Sequence, residues 1–249
     1  MTTKVFFQNS KGQKICGILE EPNKNSGRVV VVIHGYASNK NRPTTLSVVK
    51  EFSKRGINSL RIDLNGCGES EGDFKFQTIT STVDDVEAAI NYLKNFGYTQ
   101  IDLFGSSAGG LTAMAASLKH PEVSRLGLKC PVSDYVDQKT KRKGEAEIEK
   151  WKNTGSTVYK SLSGKEYQVD YSVFEDYKNY IMFDKVKDIK CPTLIIHGDA
   201  DTVVDIEYSK RLVKNFPNAE LVIIPGADHI FEKDEDRELV NKLFGEWFE

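Results

Sequence analysis

The sequence predicts an α/β fold in which a mostly parallel sheet of about eight strands is covered by helices on both faces. Val29-Val30-Val31-Val32-Ile33 is a continuous β-branched run without alternation, as a strand buried on both faces requires. Similar runs alternate with stretches of helical period, which is the rhythm of parallel strands joined by crossover helices. Leu103-Phe104-Gly105-Ser106-Ser107-Ala108-Gly109-Gly110 then turns a short strand sharply into a helix. With 249 residues the chain is long enough to bury a substantial core.

Taken in order, Val5-Phe6-Phe7 and Ile15-Cys16-Gly17-Ile18-Leu19 flank a polar turn and predict an antiparallel hairpin at a sheet edge. The central strand 29–33 ends at His34-Gly35-Tyr36-Ala37. Leu46, Val48, Val49 and Phe52 have helical spacing over 43–55, and Gly56 stops that helix. A strand at 57–63 leads into the glycine-rich stretch 65–72. That stretch lacks both the Gly-x-Gly-x-x-Gly spacing and the Lys-Ser/Thr ending of phosphate loops, and it reads as a structured turn. Ser81 or Thr82 is expected to cap a helix through Val83, Val86, Ala89, Ile90, Leu93 and Phe96, closed by Gly97. The strand and helix around Ser107 follow, and then a strand at 125–130 ended by Pro131.

The rhythm breaks over 133–185, which predicts a cap inserted into a core made of 1–132 and 186–249. The segment mixes charge with many aromatics; 145–152 has helical character and 155–164 reads as loop. Aromatics such as Trp151 and Tyr171 are candidates for a pocket wall, the alternative being the cap's own small core. The basic cluster 139–143 reads as a solvated face. The parallel pattern resumes with strands at 193–198 and 219–224 around a helix at 205–215, and a last amphipathic helix spans 236–248.

Composition excludes several function classes. The 34 basic and 36 acidic residues give a net charge of −2 with no basic stripe, which argues against nucleic acid. Cys16, Cys67, Cys130 and Cys191 are scattered without Cys/His spacing of a zinc site, so neither a metal nor another cofactor is expected. The start of the chain lacks a signal peptide's apolar core and no segment approaches the roughly 20 apolar residues of a membrane helix. A cytoplasmic protein with a small-molecule partner and no membrane partner is expected, with a homodimer left open.

Gly105-Ser106-Ser107-Ala108-Gly109 fits a turn that holds its middle serine strained and projecting. The Ala108 amide would lie at a helix N-terminus, where unpaired N–H groups favour a developing negative charge. Gly35 permits a tight turn that points the Tyr36 N–H into the same space, a second candidate donor. A serine hydroxyl needs a base, and the base an acceptor. Of the four histidines, His120 lies at the wrong end of the sheet, while His34 and His197 end strands and are expected to be held by local hydrogen bonds. His229, on the loop after the last strand, can reach Ser107. For the acid, Asp201 leaves the preceding strand at the same edge, with Asp199, Asp205 and Asp228 as competitors. Asp199 is close enough to the strand end to be used in the turn, and Asp228 adjoins His229.

With the order Ser107…Asp201…His229 in hand, the chain resembles the α/β-hydrolase superfamily over nearly its whole length. The matching segments are His34-Gly35-Tyr36, the stretch 63–70, Gly105-Ser106-Ser107-Ala108-Gly109, the stretch 197–204 and Gly226-Ala227-Asp228-His229-Ile230-Phe231. Within it, 34–41 and the run through Gly72-Asp73-Phe74 resemble bacterial cinnamoyl and feruloyl esterases and the related serine-aminopeptidase-like, monoacylglycerol-lipase-like hydrolases. The resemblance implies an α/β-hydrolase fold, Asp201 as the acid, and the Tyr36 and Ala108 amides as the oxyanion hole. The sequence departs from the pattern at Cys67, where His is common, and at Ser106-Ser107-Ala108, where His-Ser-Gln or His-Ser-Met is frequent. The expected function is a metal-independent serine carboxylesterase acting on small acyl or aromatic esters. A serine aminopeptidase or amidase of the same fold, and a non-catalytic binding protein on a hydrolase scaffold, are the rivals. A membrane lipase would want a less charged cap.

Overall fold

β1 (Thr2–Gln8) and β2 (Lys14–Glu20) lead into β3 (Arg28–Ile33), α1 (Pro43–Lys54), β4 (Asn58–Ile62) and α2 (Ile79–Phe96). β5 (Gln100–Ser106), α3 (Ala108–Lys119) and β6 (Leu126–Lys129) follow. An inserted segment then supplies α4 (Tyr135–Lys143), α5 (Glu145–Thr154), β7 (Ser156–Lys160), β8 (Glu166–Asp170) and α6 (Tyr171–Tyr177). The chain closes with β9 (Thr193–Gly198), α7 (Ile206–Asn215), β10 (Ala219–Ile224) and α8 (Asp234–Phe248). The structure is a computed structural model and describes residues 1–161 and 164–249.

Eight strands form one sheet in the order β1-β2-β4-β3-β5-β6-β9-β10. β1 pairs antiparallel with β2, and β2 antiparallel with β4; every other pairing in the sheet is parallel. The expected edge hairpin and parallel centre are therefore both present. Along β3 the side chains alternate between two buried clusters. Val29, Val31 and Ile33 join residues of α2, α3 and α7, whereas Val30 and Val32 join Val48, Val49 and Phe52 of α1 and Val240, Phe244 and Phe248 of α8. This two-sided burial is why β3 shows no polar alternation.

The chain leaves β3 toward β4 on one side and returns to β5 on the other. Such a reversal opens a crevice at the carboxyl ends of the strands, the usual place for a ligand in an open α/β sheet.

Three local readings are corrected. Thr78, not Ser81 or Thr82, caps α2: its hydroxyl accepts the Ser81 N–H at 3.0 Å while the Ser81 hydroxyl accepts the Thr78 N–H at 3.0 Å. Ser81 thus fills the third helical position of a capping box, a place more often taken by Glu or Gln. The stretch 155–164 is not loop throughout. Its first half is strand β7, paired antiparallel with β8, and residues 162 and 163 lie outside the described residues. The basic cluster 139–143 belongs to α4, whose N-cap Asp134 accepts the Asp137 N–H, and Lys139 within it is buried.

The inserted segment has a core continuous with the sheet's. Tyr135, Trp151, Val169, Phe174 and Tyr177 share one buried cluster with Val83, Leu111 and Leu128. Tyr135 and Tyr177 stack at 3.8 Å between ring centroids.

Candidate active site

Four non-glycine residues among those described have positive φ, and all four follow strand ends at the carboxyl edge: Ala37 after β3, Ser107 after β5, Cys130 after β6 and Phe231 after β10. Each such conformation costs on the order of 1–3 kcal/mol and persists where the surroundings over-determine it, as at functional sites. Ser107 has φ +56° and ψ −121° and stands between β5 and α3. Its N–H donates to the Lys129 carbonyl at 2.9 Å, and its own carbonyl accepts from Gly110 and Val132 at 2.9 and 3.1 Å. Neighbouring glycines make this turn sterically feasible. A Cβ on Gly105 would collide with the Gly109 carbonyl, and one on Gly109 with the carbonyls of Ile33 and His34. A Cβ on Gly35 would come within 3.3 Å of Ser107 Cβ, so the loop after β3 lies against Ser107. Neither the Tyr36 nor the Ala108 N–H has an acceptor among the described residues.

Asp201 and His229 meet across the ends of β9 and β10, with His229 Nδ1 2.6 Å from Asp201 Oδ2. The same oxygen lies 3.1 Å from His197 Nε2, and Oδ1 accepts the N–H groups of Val203 and Val204 at 2.7 and 2.8 Å. His197 Nε2 also faces the Val204 carbonyl at 2.9 Å, and a carbonyl can only accept, so Nε2 carries the proton. His197 Nδ1 is left to accept from the Ser209 hydroxyl at 2.7 Å. Burial alone would raise the Asp201 carboxyl, but the hydrogen bonds from His197 and His229, with the backbone donors behind them, hold it well below the usual carboxylate range. An ionised Asp201 keeps the His229 proton on Nδ1. His229 Nε2 has no partner among the described residues, and Ser107 and His229 line one cavity. The Ser107 hydroxyl makes no hydrogen bond to His229, a contact that in such sites often tightens only in the complex with substrate.

The other acidic candidates are occupied elsewhere. Asp199 accepts the Gly226 N–H at 2.6 Å, Asp205 caps α7, and Asp228 accepts the Glu232 N–H at 2.9 Å. His34 is buried, with Nε2 accepting the Leu64 N–H at 3.1 Å, and His120 lies beside Glu87 and Glu122.

The loop after β3 is anchored by a buried ion pair that no sequence motif announces. Lys40, only 1% exposed, places Nζ 2.5 Å from Asp63 Oδ2 and 2.8 Å from Glu69 Oε1. Asp63 also accepts the N–H groups of Lys40 and Glu69 at 2.7 and 2.8 Å, and a Cβ on Gly68 would collide with its carboxylate. Lys40→Met leaves Asp63 buried without its counter-ion, and is expected to lower unfolding stability by about 3 kcal/mol in a denaturant titration. Unchanged stability would show that the pair does not hold this loop.

A cavity of about 800 Å³ contains Tyr36, Ser107 and His229 in its lining. Val158, Tyr159 and Lys160 of β7 and Lys139 and Arg142 of α4 form the wall supplied by the inserted segment. Trp151 and Tyr171 do not line it. They meet edge to face at 5.8 Å, both pack on Phe174, and Trp151 Nε1 donates to the Val169 carbonyl, so they serve the segment's own core. Among the described residues of the inserted segment, the aromatic that does reach the cavity is Tyr159, edge-on to Tyr36 at 4.9 Å. Tyr159 is one of the many aromatics that the sequence offers over 133–185, and nothing in the local pattern sets it apart from the others.

Among the described residues two clusters have the composition of metal sites: Cys130 with His197 and Asp201, and Cys16 with Asp63 and Glu69. In each the carboxylate already accepts from protein donors, His197 and His229 in one and Lys40 in the other, so neither needs a cation to be satisfied. No helix among the described residues is long and apolar enough to cross a membrane.

Comparison with known proteins agrees with this architecture. The mitochondrial palmitoyl-protein thioesterase ABHD10 of Bos taurus is 25% identical over 218 residues, covering 85% of this chain and 70% of that protein. Est1E of Butyrivibrio proteoclasticus, solved with ferulic acid bound, superposes with a TM-score of 0.80 at 24% identity over 98% of this chain and 97% of its own. A hydrolase structure from Agrobacterium vitis reaches a TM-score of 0.85 at 21% identity, covering 100% of this chain and 99% of its own. Those two likenesses are likenesses of fold. The sequence profile of the prolyl oligopeptidase family matches residues 44–249, from the second residue of α1 to the end of the chain. The chain belongs to that family and is an α/β hydrolase.

Proposed function

We propose that the protein is a serine hydrolase cleaving small acyl or aromatic carboxylic esters through an acyl-enzyme on Ser107. The observation that carries this reading is the 2.6 Å contact of His229 Nδ1 with an ionised Asp201, which leaves Nε2 free in the cavity that a strained Ser107 also lines. His229 Nε2 takes the Ser107 proton as Oγ attacks the ester carbonyl, and Asp201 stabilises the imidazolium that forms. The carbonyl oxygen, now negative, accepts the Tyr36 and Ala108 N–H groups, which need not first be released from another acceptor. His229 then protonates the departing alcohol, and water repeats the sequence to free the acid. The segment 133–185 acts as the cap that walls the acyl site.

Family membership makes a peptidase the natural rival, and the ferulic-acid-bound neighbour and the thioesterase relative favour esters or thioesters. The cavity wall itself argues against an aminopeptidase. A free α-amino group is a cation, and the lining sets seven cationic side chains against the one carboxylate of Glu232. The test is a panel of p-nitrophenyl and cinnamoyl esters beside aminoacyl p-nitroanilides. Ester turnover with the anilides left uncleaved is expected, and faster anilide cleavage would overturn the ester reading.

A further inference from the structure

The chain carries a net charge of −2, yet the cavity that Ser107 and His229 line has seven cationic side chains and a single carboxylate in its wall. Of the seven, Arg237 pairs with Asp234. Arg42, Lys129, Lys139, Arg142, Lys143 and Lys160 have no ion-pair partner among the described residues. Arg142, Lys143 and Lys160 are exposed, where an unpaired cation costs little. Arg42 is half-buried, and two are buried: Lys139 is 9% and Lys129 5% exposed.

A buried ammonium without a counter-ion is rare because desolvation penalises it. Lys139 places Nζ 4.9 and 5.1 Å from the ring centres of Tyr135 and Tyr159, and Lys129 sits 5.2 Å over Phe231. These ring faces are partial compensation at best. Burial, followed by the charge of Arg142, brings the Lys139 amine down to about 8, so it remains a cation at neutral pH. Burial lowers Lys129 as well. Both side chains open onto the cavity from different elements, α4 and β6, and Lys129 is the register partner of Ser106 beside the strained serine. The cavity therefore holds two buried cations, from α4 and β6, that have no ion-pair partner among the described residues; Asp228 opposes the charge of Lys129 only from beyond ion-pair distance.

We infer that the substrate of this site is an anionic ester, one carrying a carboxylate or phosphate that docks against the Lys139–Arg142 wall and the ammonium of Lys129. The inference rests on the serine-ester reading and narrows it to a substrate class. A cleft lined by one sign of charge within low-dielectric walls raises the local concentration and capture of an oppositely charged ligand by about 10- to 1,000-fold.

The experiment uses matched pairs at low ionic strength. Mono-p-nitrophenyl adipate against p-nitrophenyl hexanoate places the anion on the acyl side, and 2-acetoxyethyl phosphate against 2-acetoxyethanol places it on the alcohol side. The anionic member of at least one pair is expected to have about a tenfold higher kcat/KM, a preference that shrinks as salt screens the cavity. The pair that shows it assigns the side. Arg142→Gln, at an exposed position, and Lys139→Gln are each expected to lower the anionic-to-neutral ratio severalfold, with Lys139→Arg retaining it. Turnover of neutral esters without preference in either pair would overturn the inference and leave the esterase reading standing. Should neither pair be cleaved, calorimetric titration of the Ser107→Ala protein with the adipate and hexanoate esters decides the matter independently. Tighter binding of the adipate supports the inference, and equal affinity overturns it.

Discussion

Ser107→Gly is expected to abolish ester hydrolysis and at the same time raise the stability of the fold. Losing the hydroxyl removes the nucleophile, and what remains is the contribution of the oxyanion donors and binding, so kcat should fall by about three orders of magnitude or more. Stability moves the other way because φ +56° with ψ −121° is a conformation that an L side chain resists and glycine tolerates. Part of the relief is offset by the greater freedom of glycine in the unfolded chain, which leaves a net gain of about 1 kcal/mol. Ser107→Ala separates the two effects, since it loses the hydroxyl but keeps the Cβ and hence the strain. It should match the glycine variant in lost turnover while showing no gain in urea midpoint. Retained turnover in either folded variant would remove Ser107 from the mechanism.

Asp201→Asn is expected to lower turnover by about four orders of magnitude with the fold intact, because an amide facing His229 Nδ1 no longer fixes the proton there. In this protein the substitution has a second consequence. Asp201 also accepts from His197 and from the Val203 and Val204 N–H groups, and these donors hold its carboxyl below the range it has in the unfolded chain. A depressed carboxyl contributes stability that is complete above the unfolded value of about pH 4 and is lost as pH falls toward the folded value. The wild-type protein should therefore lose stability more steeply than Asp201→Asn below about pH 4. Parallel acid-unfolding curves would show that the carboxylate is not held this way.

Much of this was legible in the sequence because it depends on local pattern. The unbroken β-branched run of β3 gave its place at the sheet centre, and the glycines around Ser107 gave the sharp turn. The positions of Asp201 and His229 after successive strands put them at one edge without knowledge of the packing between them. The end of a strand is a place where His197 is expected to be held by local hydrogen bonds, and it is; that Asp201 is among its partners depends on the path of the 199–205 loop. What stayed hidden depends on tertiary contact. Lys40 and Asp63 lie on different loops and look like any surface pair until the fold buries both. The 139–143 stretch is so polar that it reads as solvated, and only the packing of α4 against β7 shows that Lys139 faces inward. Trp151 and Tyr171 misled because size and aromaticity do not distinguish a pocket wall from the core behind it.

The central claim is that Ser107 is the nucleophile of an assembled site, and covalent labelling tests it most directly. Intact protein treated with a fluorophosphonate, then digested and mapped by mass, is expected to carry a single adduct on the peptide containing Ser107, with no adduct on the Ser107→Ala protein. An adduct at another residue, or labelling that persists without Ser107, would contradict the account.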